Sequence, residues 1–588
     1  MKIVITLFTC LVISCTPPTR IQTHTAPNPA FNTLLEQYHN ESLKFNPFNA
    51  TSIGDTRYNH VLPIEFTDSY RAELANFYRT YQSRLGAFNR ENLNENDKLS
   101  YDILQWRLGV SIQGLQHKDN RFPFTQFTGT PLQLAQYGSG TVVQPFKNTQ
   151  DYENWIQRAG AFPVWVDSAI TYFRKGIAER WVLPRAVVEK MIPQMERFII
   201  SDVNQSVFYG PVNLYPATFT TDEKTRFTNS FVHLINNEIV PSYRRLADFL
   251  KNEYLPASRS SSGIGALPGG SEWYLYLTKL HTTTDQTPDE IYNIGLAEVK
   301  RIQAEMENVK KSVGFTGTLS EFFTHMRTDP KFFPYKTAEE VLNAYRAIEE
   351  RIAPNLQKMF LQTPRTGFEV RQTEEFRAAS AAAQYNAGLA DGSRPGIFYL
   401  PILDPTKMKV RESLFIHEAI PGHHYQVMLQ RENEALPSFR RYSGFTAYSE
   451  GWGLYTESLG KELGIYTDPY QYMNALGDEI HRAIRLVVDP GLHSKGWTRE
   501  QAIKYMMDNS AIPETTAVPE IERYMVIPGQ ALAYKTGSMH IQRLREKYSI
   551  QLGTKFNLAA FHHEILKDGP MPLELLERKM NAWAATQQ

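Results

Sequence analysis

The chain has 588 residues, of which 42% are hydrophobic and 12% aromatic, enough apolar side chain to bury a large core and to exclude a disordered polymer. Lys plus Arg and Asp plus Glu both total 62, a formal net charge of zero, and no long basic run is interleaved with aromatics, which argues against nucleic acid as a partner. The two cysteines are Cys10 and Cys15, so everything beyond residue 15 is without disulfides, thiolate metal ligands or a cysteine nucleophile, and any metal chemistry there uses His, Asp and Glu.

In chain order, Lys2 and the apolar stretch Ile3 to Ile13 read as an export signal, too short to span a bilayer as a mature helix. It ends in Val12-Ile13-Ser14-Cys15, which resembles the bacterial lipoprotein box. That resemblance implies a lipidated Cys15 as the new N-terminus and the membrane as a partner through that lipid only. Thr16, where Asp is absent, favours the outer membrane with the body facing the periplasm. Residues 16–29, rich in Thr and Pro, form a tether.

Apolar residues at helical spacing predict helices over Asn94 to Leu115, Tyr152 to Arg180, Asp222 to Leu250, Pro288 to Ser312 and Ala338 to Phe360. Thr287 with Glu290, Thr337 with Glu340, and Thr498 with Gln501 have the spacing of capping boxes. The Ser/Gly/Pro-rich stretch Ser258 to Gly270 separates an N-terminal helical half, 30–260, from a C-terminal half, 261–588, that holds the chemistry. One strand is expected at Gly396 to Leu400, with Phe398, Tyr399 and Leu400 as an edge able to pair with an extended peptide. The expected fold is mostly α, two helical halves closing on a deep cleft, with a small β-sheet beside the site.

The informative segment is Phe415-Ile416-His417-Glu418-Ala419-Ile420-Pro421-Gly422-His423-His424-Tyr425-Gln426. Zinc peptidases commonly set two histidines one helical turn apart with a Glu between them facing water. Here the position one turn after His417 is Pro421. On an ideal helix His423 lies about 600° round from His417 and points away, whereas His424 returns to the same face about 10.5 Å further along. Pro421 cannot donate to the carbonyl of His417 and Gly422 tolerates unusual backbone angles, so a two-residue bulge is expected to bring His423 into place, with His424 as the alternative. Glu450 is the expected third ligand, and Glu457, seven residues on, would orient a histidine. A His/His/Glu set favours Zn2+.

These residues resemble the family known as domain of unknown function 885, bacterial proteins with a His-Glu-x-x-Pro-Gly-His segment that are often lipoproteins. Further similar blocks are Gly270 to Tyr274, Thr287 to Glu290, Gly396 to Leu400, Ser449 to Glu457, Arg485 to His493 and Arg523 to Gly537. The family looks like a distant relative of the helical metallopeptidases that include thimet oligopeptidase and angiotensin-converting enzyme. That kinship implies a metallopeptidase-like helical fold, peptide as substrate, His417, His423 and Glu450 as ligands, Glu418 as general base, and Tyr534 as donor to the developing oxyanion, with Tyr524 second. Arg523 and Lys535 are candidates for a substrate carboxylate, Tyr399 for contact with the substrate, and Asp489, before an expected turn at Asp489-Pro490-Gly491, for orienting an imidazole. The alternatives are another zinc amide hydrolase acting on cell-wall peptides, or a non-catalytic metal-binding envelope lipoprotein. A serine hydrolase is disfavoured because no Gly-x-Ser-x-Gly elbow is present.

Overall fold

A computed structural model describes residues 26–374, 378 and 382–587. The export signal, Cys15 and the tether as far as residue 25 lie outside the described residues. Helix starts follow local chemistry. Thr287, Thr337 and Thr498 each accept a backbone N–H three residues on, while Glu290, Glu340 and Gln501 reach back to the cap, as expected. Thr220 with Glu223 and Thr318 with Glu321 form two further boxes.

The helix Pro288–Ser312 has the expected bounds. Two predicted helices are interrupted. Tyr152 to Arg180 divides into Thr149–Gly160 and Phe162–Glu179, with Pro163 in the first turn of the second piece, where a missing N–H costs nothing. Asp222 to Leu250 divides into Thr221–Leu234 and Val240–Phe249 around a wide π turn at Ile235–Ile239, because Pro241 cannot supply the next helical hydrogen bond.

Two large hydrophobic cores and two small clusters form among the described residues. One joins Trp155, Trp165 and Tyr243 to Met306, Ile484 and Ile521. The other joins Phe31, Tyr81 and Leu104 to Ile352, Phe415, Trp452 and Ile541. Both draw on chain before and after residue 260. The helix Pro469–His493 serves both, giving Ile480 and Val488 to the first core and Ala475 to the second. It includes Asp489, Pro490 and Gly491, so the turn expected there is helical; a proline one turn from a helix end needs only one hydrogen bond to be given up.

Three strands complete the body: β1 (Phe368–Gln372), β2 (Gln384–Asn386) and β3 (Gly396–Leu400), in the order β1-β3-β2. β3 runs parallel to β1 and antiparallel to β2, with Tyr399 opposite Arg371 and Gln384. The expectation that β3 is a peptide-binding edge is therefore corrected: both its flanks are paired. The continuous apolar run Ile397 to Leu400 suits a central strand, and the polar sequences Phe-Glu-Val-Arg-Gln and Gln-Tyr-Asn take the edges. The sheet packs on the helix Glu412–Glu418 through Phe368 and Phe398, whose rings lie 6.1 and 6.5 Å from that of Phe415. Among the described residues no helix is long and apolar enough to cross a membrane.

Candidate metal centre

The segment carrying the two histidines is two helices rather than one bulged helix. Glu412–Glu418 ends after His417, residues 419–422 turn, and His423–Glu432 begins at His423. Pro421 breaks the hydrogen-bond ladder as expected. Gly422 is required by close approach: a Cβ there would lie 1.9 Å from the carbonyl oxygen of His417 and 2.3 Å from that of Ile416. Trp452 Nε1 donates to the Pro421 carbonyl at 2.8 Å, and Thr456 Oγ1 to that of Ile416 at 3.0 Å, so the helix Thr446–Glu457 satisfies carbonyls that the break leaves over.

That same helix brings in Glu450, the expected third ligand. His417 Nε2 lies 3.7 Å and His423 Nε2 3.3 Å from Glu450 Oε2, and the imidazole centroids are 4.7 Å apart and nearly perpendicular. One ligand atom from each of His417, His423 and Glu450 lies within 4.8 Å of the others, a spacing that a single divalent ion can bridge. The other imidazole nitrogen, His417 Nδ1, is 2.7 Å from Glu457 Oε1, which fixes the ring and leaves Nε2 directed at the triad. Gly453 makes room for that ring, since a Cβ there would sit 2.8 Å from His417 Cε1. Gly451 does the same for the helix Ala533–Leu552, where its Cβ would meet Gly537 Cα at 2.5 Å.

The electrostatics match a cation site. Burial works to lower the pKa of His417, but Glu450 and Glu457 outweigh it and carry it up to about 10. Burial works to raise that of Glu450, and His423 and His417 bring it well below the usual carboxylate range. The negative charge that holds a proton on His417 would equally attract a metal ion. Glu418 is buried beside them, and burial pushes its carboxyl up, opposed by His417 and His423.

The remaining sequence candidates are distributed as follows. His424 faces the sheet, 2.9 Å from Tyr385 Oη and packed on Phe368, so the alternative of His424 as ligand is set aside. Tyr534 stands near enough to Glu450 for that charge, after burial, to raise its pKa, while Arg485 and Arg523 oppose the shift. Tyr524 donates to Glu520 at 2.6 Å and accepts from Arg485 Nε at 2.8 Å. Arg523 is held by Glu520 and Gln530. Lys535 is fully buried against Glu298 and Glu479, at 2.9 and 2.6 Å, which removes it as a partner for a substrate carboxylate. Asp489 accepts from Tyr274 Oη at 2.6 Å and from the Gly529 N–H at 3.1 Å, so it orients these groups and no imidazole. Two cavities, of about 420 Å³ beside Tyr425 and Glu432 and about 570 Å³ beside Asn94 and Glu434, are lined by none of the triad, so neither is the deep cleft expected at the metal.

Sequence reasoning passed over Trp452, Gly453 and Glu520. Two glycines in two turns of helix carry a conformational cost, and that cost was the legible sign that something packs close to residues 451 and 453. Glu520 carries no such local sign.

Residues 47–580 match the family described as bacterial protein of unknown function (DUF885). A crystal structure provisionally called a lipoprotein, from Colwellia psychrerythraea, is similar at 28% identity and a TM-score of 0.89, over 95% of this chain and 99% of that one. A second such protein, of unknown function, from Shewanella oneidensis, is similar in fold at 21% identity and a TM-score of 0.71, over 94% of this chain and 100% of that one. No curated protein matches.

Proposed function

Because the chain belongs to the DUF885 family, whose description assigns no activity, we propose from its own residues that it is a zinc-dependent peptidase. The observation that carries this reading is the convergence of His417, His423 and Glu450, with Glu457 behind His417 and Glu418 beside the triad. The histidines and Glu450 would hold Zn2+, the ion favoured by a set of two imidazoles and one carboxylate. When bound, the ion supplies a Lewis acid that lowers the pKa of water and polarises a carbonyl.

The chain's own groups do the rest. Glu418, its carboxyl raised by burial, takes a proton from the attacking water and passes it to the leaving amine. Tyr534 donates its hydroxyl to the oxygen on which charge develops. Glu457 keeps His417 in the tautomer that presents Nε2. The substrate is a peptide, reached in a cleft of the kind the helical metallopeptidases have, and the body is held at the outer membrane by a lipid on Cys15, facing the periplasm. The lipoprotein designation of the Colwellia relative supports the lipid anchor and a cell-envelope location, the outer membrane being read from Thr16 alone.

Metal analysis of the purified protein together with mass-spectrometric cleavage of a mixed peptide library tests the reading. Zinc near one equivalent and defined cuts are expected. Glu418→Gln is expected to keep the zinc and lower turnover by at least about 100-fold. Protein that takes up no zinc, or a Glu418→Gln variant that still cuts, would overturn it.

A further inference from the structure

Beyond the triad, Arg485, from the helix Pro469–His493, meets Glu520 and Tyr524, from the helix Glu514–Val526, and Tyr534 beyond it, and Arg523 and Gln530 join the same cluster through Glu520 and Arg523. Arg485 Nη2 lies 3.2 Å and Arg523 Nη2 3.1 Å from the same oxygen of Glu520. Arg523 Nη1 donates to Gln530 Oε1 at 3.0 Å, and Gln530 Nε2 donates to Tyr534 Oη at 3.4 Å. The Arg485 guanidinium lies 4.5 Å from the centre of the Tyr534 ring. His481 Nε2 is 3.4 Å from Glu520, but burial, with Arg485 adding to it, lowers the pKa of that imidazole to about 4 and keeps it neutral.

The charge count does not close. Two guanidinium groups share one carboxylate; Asp489, the other carboxylate near Arg523, is pushed up to about 7 by burial and accepts from Tyr274 and Gly529, and Arg485 Nη1 is buried with no acceptor among the described residues. A buried donor without an acceptor is costly, and an unneutralised buried charge more so. The cluster is short of one acceptor and one negative charge, and a carboxylate supplies both in the geometry that guanidinium favours. Nor is it wholly sealed: the side chains of Arg485 and Arg523 keep only 8% and 10% of their surface exposed, but that of Glu520, which they share, keeps 23%, and Tyr534 beside them is half-buried.

We propose that the Arg485–Arg523 pair is an anion subsite, beside Tyr534, that receives the C-terminal carboxylate of the peptide. The inference rests on the peptidase reading and sharpens it: a chain held by its end presents a bond close to that end to the triad. Water adds across that bond, its hydroxyl goes to the acyl carbon and its proton to the amine, and a short C-terminal fragment leaves. The enzyme would then act as an exopeptidase from the carboxyl end.

The test uses the full chain carrying Glu418→Gln, so that nothing is cut, and three dansylated pentapeptides read by fluorescence anisotropy with and without added zinc. One is pentaalanine with a free carboxylate, one is its C-terminal amide, and one is the amide with Glu as its last residue. The free acid is expected to bind at least about tenfold tighter than the amide, the worth of one charge-assisted hydrogen bond. Arg523→Gln is expected to erase that ratio by weakening the acid alone, and Arg523→Lys to restore part of it. Acid and amide binding alike, or a ratio that survives Arg523→Gln in a variant with unchanged thermal melting, would overturn the subsite. A Glu-ended amide that matches the acid would overturn the terminal assignment. If zinc fails to bind, the peptidase reading falls, while the ratio measured without zinc still decides the subsite.

Discussion

The triad and the arginine cluster both act on Tyr534 and solve opposite problems. Around His417 and His423 stand three carboxylates, Glu418, Glu450 and Glu457, against one guanidinium, Arg482, 3.6 Å from Glu457, and Glu457 Oε2 is buried with no hydrogen-bond donor among the described residues. Around Glu520 stand two guanidiniums, and a nitrogen of one has no acceptor. The first is rich in acceptors and short of positive charge, and the second is the reverse. Buried polar groups normally find partners, so the direction of each imbalance says which ligand charge would complete it: a cation in one, an anion in the other.

Paired substitutions separate the two most sharply. Glu450→Ala removes a proposed ligand and is expected to bring zinc from about one equivalent to below about 0.1, read by metal analysis after gel filtration. Glu520→Gln is expected to leave zinc content alone and to lower stability by about 2–3 kcal/mol, because it strands two guanidiniums; partial exposure of Glu520 holds the loss to the low end for a buried pair. If Glu450→Ala kept its zinc, or Glu520→Gln lost it, the two clusters would not be the separate devices described above.

A smaller effect tests how the triad is tuned. Without metal, burial disfavours the proton on His417, but Glu450 and Glu457 hold it with a pKa of about 10. Zinc must displace that proton, so its affinity is expected to rise about tenfold per pH unit below 10 and to level off above. Glu457→Gln removes one of the two carboxylates that retain the proton. The levelling is then expected at lower pH, with the plateau affinity itself down about 10–100-fold because the imidazole loses its anchor. A competition titration with a zinc chelator between pH 6 and 9 reads both changes. A slope identical to that of the parent chain would remove Glu457 from this role.

How much of this was legible follows from where the chemistry sits in the chain. The triad was readable because its parts fall in two short segments: Pro421 and Gly422 announce the break after His417, and Glu450 and Glu457 share one helix face. The helices from Thr287 and Thr337 were readable from their caps. The central place of β3 was not, because strand order depends on β1 and β2, whose polar sequences carry no pairing signal. The Arg485–Glu520 contact was not, because it joins two helices 35 positions apart through tertiary packing alone. For the same reason Lys535 read as a free cation when two distant acids already hold it.

The smallest expected effect belongs to His424, and it bears on the backbone turn that selects one of two adjacent histidines. Spacing on an ideal helix favoured neither His423 nor His424, and the break at residues 419–422 turns His423 to Glu450 and His424 to the sheet. There burial lowers the His424 pKa to about 4, and the neutral ring shares a hydrogen bond with Tyr385 Oη. His424→Gln deletes that bond and some packing on Phe368, which costs about 1 kcal/mol of stability. Zinc affinity is expected to change by less than about threefold, within the scatter for a site that keeps all its ligands. A tenfold or larger loss of zinc in His424→Gln, with melting little changed, would mean that the second helix begins one residue later than described, with His424 on the metal side.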